Sequence, residues 1–340
     1  MSPDVAAVDL YGSDAWRNAF GTGSSVATSQ PAAALTVEVR AGVRIVGVLG
    51  APLIDRFDPA DGRSFTDEVL AAAREVEGTS EARWAIRLDQ LDRASVVATQ
   101  LAARVSVLRV VPAAPVHLTE IDDDRRVEHY LGTGFRKQAR RAVRALEATV
   151  ASPDAVRLER VDAARVGDRL GTIAGVRESR DLATNRIGPL SRQLRQPFEQ
   201  LVTALALDGR VEIAILWAGE RVAAYNLAVR DGATWRVLDG RVSPDIGGVS
   251  AGRVVDQAIV EWALADPSCT RLDWGRGSTS AKARVSNRVV DCVHVLGASD
   301  RRAFVVAHGP WLARARAARF RREHPAVDRV WLPLKRAWRR

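Results

Sequence analysis

The chain has 340 residues, 47% of them hydrophobic and 27% charged, which is typical of a folded protein large enough for one large or two smaller domains. No run of 18 apolar residues occurs, and no basic segment precedes an apolar one at the N-terminus, so neither a transmembrane helix nor a secretory signal is expected. The two cysteines, Cys269 and Cys292, match no disulfide or metal-binding pattern. These features predict a cytoplasmic protein without a metal site.

The net charge of +9 is concentrated in two segments. Residues 125–146 hold seven basic residues and one glutamate, and residues 311–340 hold ten basic and two acidic residues. These segments carry +6 and +8, so the rest of the chain carries −5. This distribution favours two local anion-contacting surfaces over a uniformly basic nucleic-acid coat.

The first 122 residues predict one small α/β unit. A short helix is expected near residues 13–20, and residues 36–50 alternate as two strands that meet at a tight turn at Ala41-Gly42. The next four patterns indicate a helix, a strand, a second helix and one or two strands broken by prolines, over residues 65–77, 82–91, 93–105 and 106–121.

Residues 123–300 predict a second and larger α/β unit. A long helix is expected over residues 127–150, followed by a strand, two helices and three strands that end near residue 242. A strand over residues 289–296 is expected to close this second sheet, and residues 299–306 form a further candidate strand. Residues 301–340 are assigned to a basic C-terminal extension, whose last 30 residues have a helical composition broken by prolines.

A loop of small residues at 247–252, Gly-Gly-Val-Ser-Ala-Gly, directly precedes a predicted helix. Backbone N–H groups at such a helix start, at the positive end of its dipole, suit a phosphate or pyrophosphate such as that of coenzyme A. Gly252 removes a Cβ that would hinder close approach, and Arg253 adds a cation. The alternative is an ordinary turn into a crossover helix.

The segment Asp273-Trp274-Gly275-Arg276-Gly277 ends the following strand, with Lys282 close behind. A carboxylate at a sheet edge beside two glycines suits a ligand site, and a lysine supplies a compact charge for a phosphate or a developing oxyanion. The alternative is that Asp273 pairs with Arg276 and that Lys282 is solvated.

The order of three strands, small-residue loop, helix and Arg-Leu-Asp-Trp-Gly-Arg-Gly with a following lysine resembles the GNAT acyltransferase superfamily. The similarity is to its CelD-like and FemAB-like branch, which also opens its second half with a helix such as Tyr130 to Arg141. The resemblance implies two tandem GNAT-like units with mixed, mainly antiparallel sheets flanked by helices, of which residues 1–122 would be a degenerate copy. It implies acyl transfer to an amine or hydroxyl, with acetyl-CoA or another acyl-CoA as cosubstrate and no metal.

The resemblance also implies residue roles. The pyrophosphate would be held by Gly247, Gly248, Val249, Ser250, Ala251, Gly252 and Arg253, although this loop departs from the usual Arg/Gln-x-x-Gly-x-Gly/Ala pattern. Asp239 would act as the base, with Asp273 as the second candidate, and Tyr225 would protonate the leaving thiolate. The alternative is that each of these three is structural, with Tyr225 a core residue. Lys282 would contact substrate or donor phosphate. The expected acceptor contacts are Arg136, Lys137, Arg140, Trp274 and Arg276.

Each of the two basic segments is compatible with more than one kind of partner. The row of cations at 136–144 suits an anionic acceptor such as a nucleotide-sugar, a polysaccharide intermediate or tRNA, or it is a solvated helix face. The C-terminal stretch mixes aromatic and basic residues, which suits either an anionic membrane surface or a docked terminal helix. The leading interpretation is an acyl-CoA-dependent transferase acting on a small-molecule or saccharide acceptor. The alternatives are an aminoacyl transferase that uses charged tRNA and a non-catalytic binder of anionic surfaces.

Overall fold

The computed structural model describes residues 10–20, 25–26, 35–48, 62–74, 83–150, 155–184, 188–191, 194–246, 249–277 and 279–324. The strands are β1 (Ser25–Val26), β2 (Leu35–Arg40), β3 (Val43–Val48), β4 (Arg83–Asp92), β5 (Val107–Pro112), β6 (Val116–Glu120), β7 (Val156–Arg160), β8 (Val211–Ala218), β9 (Arg221–Asp231), β10 (Thr234–Val242), β11 (Arg271–Arg276), β12 (Arg288–Val290) and β13 (Cys292–Ala298).

The α-helices flank these strands. They are α1 (Asp14–Phe20), α2 (Gly62–Arg74), α3 (Val96–Ala102), α4 (Val127–Tyr130), α5 (Thr133–Val150), α6 (Val166–Thr184), α7 (Arg195–Leu207), α8 (Gly252–Ala265), α9 (Lys282–Val285) and α10 (Arg301–Glu323). None of the described helices is long and apolar enough to cross a membrane.

The strands form two mixed sheets, in the orders β1-β2-β3-β4-β13-β5 and β12-β6-β11-β10-β9-β8-β7. Each sheet contains one parallel pair, β3 with β4 and β10 with β11, and the other pairings are antiparallel. The predicted class of two mixed, mainly antiparallel sheets flanked by helices is therefore confirmed.

The two sheets exchange strands across residue 122. Strand β6 pairs with β11 in the second sheet, and β13 lies between β4 and β5 in the first. The division of the chain at residue 122 stays a prediction, and the exchange shows that each sheet is completed from the other side of that point.

Two local predictions are wrong. The strand predicted over 289–296 is two strands: β12 joins the second sheet, whereas β13 joins the first. Only Asp291 interrupts the apolar residues where the two strands divide, and the sequence carries no signal for which sheet each strand joins, because distant strands decide that pairing. Residues 301–306 are helical, since Asp300 caps α10 by accepting a hydrogen bond from the Ala303 N–H at 2.9 Å.

The long helix predicted over 127–150 is interrupted. Leu131 is extended, with φ −117° and ψ 104°, and α5 restarts at Thr133 after Gly132. The buried residues of α5, Phe135, Ala139, Ala142 and Leu146, lie on one face of the helix, and α5 packs against α8. The other predicted helices and strands are present, with ends that differ by a few residues.

The largest core joins the two halves of the chain. Its members include Trp16 and Leu88 from the first half and Phe198, Ile213 and Tyr225 from the second. A second core lies on the opposite face of the second sheet, where α5 and α8 cover it. Helices therefore cover both faces of the second sheet, which fixes the start of α8 beside β10.

Candidate functional site

A cavity of about 670 Å³ opens where the parallel strands β10 and β11 separate. These strands pair only from Thr234 to Arg236 and from Arg271 to Asp273, although β10 continues to Val242 and β11 to Arg276. A β-bulge between Val237 and Asp239 turns β10 at this point. The cavity is lined by residues of α6, β9, β10, α8, β11 and α9.

The start of α8 lies against β10 at one wall of the cavity. A Cβ on Gly252 would lie 3.0 Å from Val242 Cγ2, so only glycine fits there without a shift. Ala251 is fully buried, and Gly252 lines the cavity. The packing of α8 on β10 therefore requires a glycine at 252, and the approach of a phosphate to Gly252 stays a prediction.

The other residues of the predicted pyrophosphate loop do not line the cavity together. Gly247 and Gly248 lie outside the described residues. Val249 packs against the second core, and the Ser250 carbonyl accepts from the Arg253 N–H at 3.0 Å. The Arg253 guanidinium carbon lies 5.6 Å from the centre of the Phe135 ring, and Arg253 is not among the cavity-lining residues.

Asp256, one turn into α8, presents a carboxyl group to the cavity. Asn226 on β9 donates to its Oδ1 through Nδ2 at 2.9 Å. Burial raises the pKa of Asp256 to about 7, although the Asn226 hydrogen bond and the charges of Arg253 and Lys282 oppose the rise. The Asn226 side chain is 3% exposed and lines the cavity, and its Oδ1 has no hydrogen-bond partner among the described residues.

The pKa of Asp256 predicts a dependence of stability on pH. Because the folded-state pKa of about 7 lies above the unfolded value, the folded state binds the extra proton, and this group's contribution to the free energy of unfolding falls as pH rises from about 4 to 7. We expect the Asp256→Asn variant to gain stability relative to wild type at pH 8 and not at pH 4. Urea unfolding at both pH values tests this, and an equal difference at both would contradict it.

A buried ionic cluster forms the neighbouring wall. The Arg177 Nε donates to Asp239 Oδ2 at 2.8 Å, and the Tyr225 hydroxyl donates to the same oxygen at 2.5 Å. Arg241 lies 3.1 Å from Asp239 Oδ1. Burial, and then the Asp239 charge, raises the pKa of Tyr225 well above its usual value. The predicted residues Asp239 and Tyr225 are thus brought together in the cavity wall, with two cations beside the carboxylate.

Asp273 is separated from the cavity, whereas its neighbours line it. The Asp273 carboxylate accepts from Arg236 at 3.1 Å and from the Gly275 N–H at 2.8 Å, and it is not a lining residue. The Trp274 indole N–H donates to Thr119 Oγ1 at 2.8 Å. The Lys282 ammonium donates to the Arg276 carbonyl at 2.7 Å, and Trp274, Arg276 and Lys282 all line the cavity.

The basic face of α5 lies outside the cavity. Arg136 pairs with Glu128 at 2.8 Å, and Lys137 and Arg140 are exposed. None of these three residues lines the cavity. The predicted acceptor contacts are therefore divided between the cavity, which holds Trp274 and Arg276, and the outer surface of α5.

The cavity carries an excess of cationic side chains. Five arginines and lysines line it, Arg177, Arg180, Arg241, Arg276 and Lys282, against three carboxyls, Asp181, Asp239 and Asp256. An excess of cations suits an anionic ligand. No group of three or more metal-ligating side chains occurs in the described part of the chain.

The sequence analysis missed several residues that line the cavity, among them Arg177, Arg180, Arg241, Asn226 and Asp256. The signal for Asp256 was present, because it interrupts the apolar stripe of α8 beside the buried Val255 and Ile259. Burial of an ionisable side chain is unfavourable without a partner, so such a residue on a core-facing stripe indicates a buried partner or a functional role. Asn226 gave a similar signal within a strand whose neighbours are buried and apolar.

Comparison with known protein families gives a match that lies within residues 123–300. Residues 133–283 match the model of a family described as an acetyltransferase (GNAT) domain. Comparison with curated proteins finds no match.

Three solved structures share the fold. The C-terminal domain (DUF2156) of a protein from Agrobacterium fabrum, described as a lysylphosphatidylglycerol synthetase, is 14% identical with a TM-score of 0.56, covering 88% of this chain and 90% of that one. FemX is 12% identical with a TM-score of 0.54, covering 82% and 90%. L-PGS from Bacillus licheniformis is 13% identical with a TM-score of 0.50, covering 82% and 84%. At these identities the similarity concerns the fold.

Proposed function

We propose that this chain, whose residues 133–283 match an acetyltransferase (GNAT) domain model and whose fold is similar to that of FemX, is an acyltransferase that uses acyl-CoA to acylate an amine or hydroxyl of a small-molecule or saccharide acceptor. The observation that carries the proposal is the cavity between β10 and β11, where Asp256 has a pKa of about 7. A carboxyl with such a pKa is suited to remove a proton from a nucleophile near neutral pH.

The separated strands suit the donor. Beyond Arg236, the edge of β10 that faces β11 has no strand partner among the described residues, so this edge suits an extended chain that contains amides, although the Gly240 carbonyl already accepts from the Arg241 side chain at 2.8 Å. The pantetheine arm of coenzyme A has that character. The N-terminus of α8 and the excess of cations favour its phosphates.

Transfer needs few groups because the thioester is already activated. The acceptor nitrogen or oxygen attacks the thioester carbonyl, Asp256 takes its proton, and the carbon–sulfur bond then breaks to release the thiolate. Positioning and proton removal are the steps that the protein must supply. Asn226 would hold the Asp256 carboxyl in place through its 2.9 Å hydrogen bond.

The contacts of the other predicted site residues decide the roles that we propose for them. Asp239 lies between Arg177 and Arg241, so we assign it to support of the cavity wall in preference to proton removal. Tyr225 also lines the cavity, and protonation of the leaving thiolate by its hydroxyl remains a proposal. Lys282 and Arg276 are assigned to contacts with donor phosphate or acceptor.

The second candidate function is aminoacyl transfer from charged tRNA. The exposed basic face of α5 favours it, since cations along one helix suit a phosphate backbone. A non-catalytic binder of anionic surfaces would use the same face without binding coenzyme A. Contact of the C-terminal residues with a membrane stays a prediction, and residues 325–340 lie outside the described part of the chain.

Isothermal titration of acetyl-CoA tests the donor site. We expect wild type to bind it and Gly252→Trp to bind it about tenfold or more weakly, because the indole would collide with Val242 and fill the cavity. The matched control is Gly171→Trp, at an exposed helical glycine with nothing within 4 Å of an added Cβ.

Equal binding by wild type and Gly252→Trp would place the donor elsewhere. Absence of binding to wild type would refute the acyl-CoA proposal. Titration of charged and uncharged tRNA at two salt concentrations would then separate aminoacyl transfer from simple anion binding, because only the former should distinguish the aminoacyl group.

A further inference from the structure

A second cavity, of about 510 Å³, lies on the first sheet beside α10. Its walls come from strands β2, β3, β4 and β13, and Trp311 of α10 contributes one side. Arg276, at the end of β11, lines this cavity and the cavity at β10 and β11. The two cavities are therefore neighbours.

A histidine–carboxylate pair lies in this second cavity. His294 Nδ1 is 2.7 Å from Asp89 Oδ1, and Arg87 is 2.9 Å from the other oxygen, Asp89 Oδ2. Burial opposes ionisation of Asp89, but the hydrogen bond from His294 and the charge of Arg87 outweigh it and lower its pKa. The Arg87 guanidinium carbon lies 5.3 Å from the centre of the Trp311 ring. The centres of the Trp311 and His294 rings are 5.0 Å apart.

This arrangement fixes the hydrogen-bonding character of the imidazole. An ionised carboxylate only accepts hydrogen bonds, so His294 Nδ1 must carry the proton that it shares with Asp89. In the neutral ring, Nε2 then carries a lone pair. Within the described part of the chain, the side-chain hydrogen bond of His294 runs through Nδ1, and Nε2 makes none. With the ring neutral, the side chain therefore offers the cavity an acceptor for a ligand hydroxyl or amine.

The other residues that line this cavity indicate which class of ligand it can bind. Glu38 and Thr36 add acceptors, Arg87 and Arg276 add donors, and Trp311 adds a flat apolar surface. Two carboxylates disfavour a strongly anionic ligand, and the charged lining disfavours an apolar one. Closely spaced donors and acceptors beside an aromatic ring fit a molecule with several hydroxyl groups on a compact ring.

We propose that this second cavity binds a saccharide, with one sugar hydroxyl donating to His294 Nε2. If the sugar is part of the acceptor, Arg276 lies between its binding site and the acyl-transfer cavity. This link to acyl transfer rests on the proposed function, whereas sugar binding does not. The test therefore uses no acyl donor.

The Asp89→Asn variant gives a sharp test of the imidazole tautomer. Arg87 requires an oxygen at its side, so the asparagine amide would turn its NH₂ group to His294 Nδ1, which must then accept. The proton would move to Nε2 and remove the acceptor from the cavity. We expect a sugar that binds wild type to bind Asp89→Asn and His294→Gln about tenfold or more weakly, as expected for a lost buried hydrogen bond.

The probes are glucose, mannose, galactose and N-acetylglucosamine, titrated by saturation-transfer NMR into the full chain. The matched control is His129→Gln, because His129 also lies near carboxylates, at 3.3 Å from Asp124, but lines neither cavity. Thermal melts check that each variant folds. Equal binding by wild type and both cavity variants, or binding of none of the four sugars, would overturn the proposal.

A measurement on wild type alone guards against variants that fail to fold. In ¹⁵N NMR of histidine-labelled protein, the His294 Nε2 signal should have the shift of an unprotonated ring nitrogen, and a bound sugar should move it. A protonated Nε2 in the neutral ring would contradict the assigned tautomer. An Nε2 signal that a binding sugar leaves unchanged would contradict the assigned contact.

Discussion

Replacement of Asp256 by asparagine is expected to lower kcat/KM for acyl transfer by a factor of about 10² to 10⁴, which is the usual contribution of a positioned general base. The amide oxygen can still accept from Asn226, so the shape of the cavity and donor binding should persist. Steady-state kinetics with an acyl-CoA and an accepted acceptor measure the loss, and titration of the donor alone checks that binding is retained.

The dependence on pH makes this prediction specific to proton removal. Because the base acts when ionised and its pKa is about 7, kcat/KM of wild type should rise with pH around that value and then level, and the variant should lack this step. The matched control is Glu261→Gln, an exposed carboxylate on the same helix. A normal rate in Asp256→Asn would refute the assignment of Asp256 as the base and make Asp239 the next candidate.

Replacement of Arg177 by methionine is expected to lower the free energy of unfolding by about 3–5 kcal/mol. The Arg177 and Asp239 side chains are only 2% and 1% exposed, so the variant would leave a buried carboxylate with one cation fewer. Urea unfolding measures the change. The control is Arg195→Met on α7, whose ion pairs with Glu178 and Glu199 are half-exposed and should contribute about 1 kcal/mol or less.

A double variant separates charge burial from packing. If the loss in Arg177→Met comes from an uncompensated Asp239 charge, adding Asp239→Leu should recover much of the stability, because apolar pairs often replace buried ion pairs without net cost. An additive loss would instead show that shape and the Tyr225 hydrogen bond dominate the cluster.

Much of the fold follows from local pattern. The alternation in β2 and β3, the glycine turn between them and the apolar stripe of α8 depend on neighbouring residues, so the sequence reveals them. The assignment of β12 and β13 to different sheets depends on the distant strands with which each one pairs. The interruption of the long helix at Leu131 similarly has only Gly132 as a local signal. Such features depend on tertiary contacts and cannot be derived from periodicity.

The candidate site was predictable to a similar extent. Gly252, Trp274 and Lys282 stand at turns and strand ends, where small or charged residues attract attention, and all three line the cavity. Asp256 and Asn226 lie within regular elements, and their meeting at 2.9 Å depends on how α8 crosses β9. Asp273 had the same local signal as its neighbours, but its register opposite Arg236 turns it into a structural ion pair.

The exchange of β6 and β13 between the sheets has a consequence for assembly of the chain. Strand β13 lies inside the first sheet but follows the whole GNAT domain in sequence, so β4 and β5 lack the strand between them until nearly 300 residues have been synthesised. Neither half can complete its own hydrogen-bonded ladder alone. The two halves should therefore fold late and as one cooperative unit, and an isolated half should expose unpaired strand edges and aggregate.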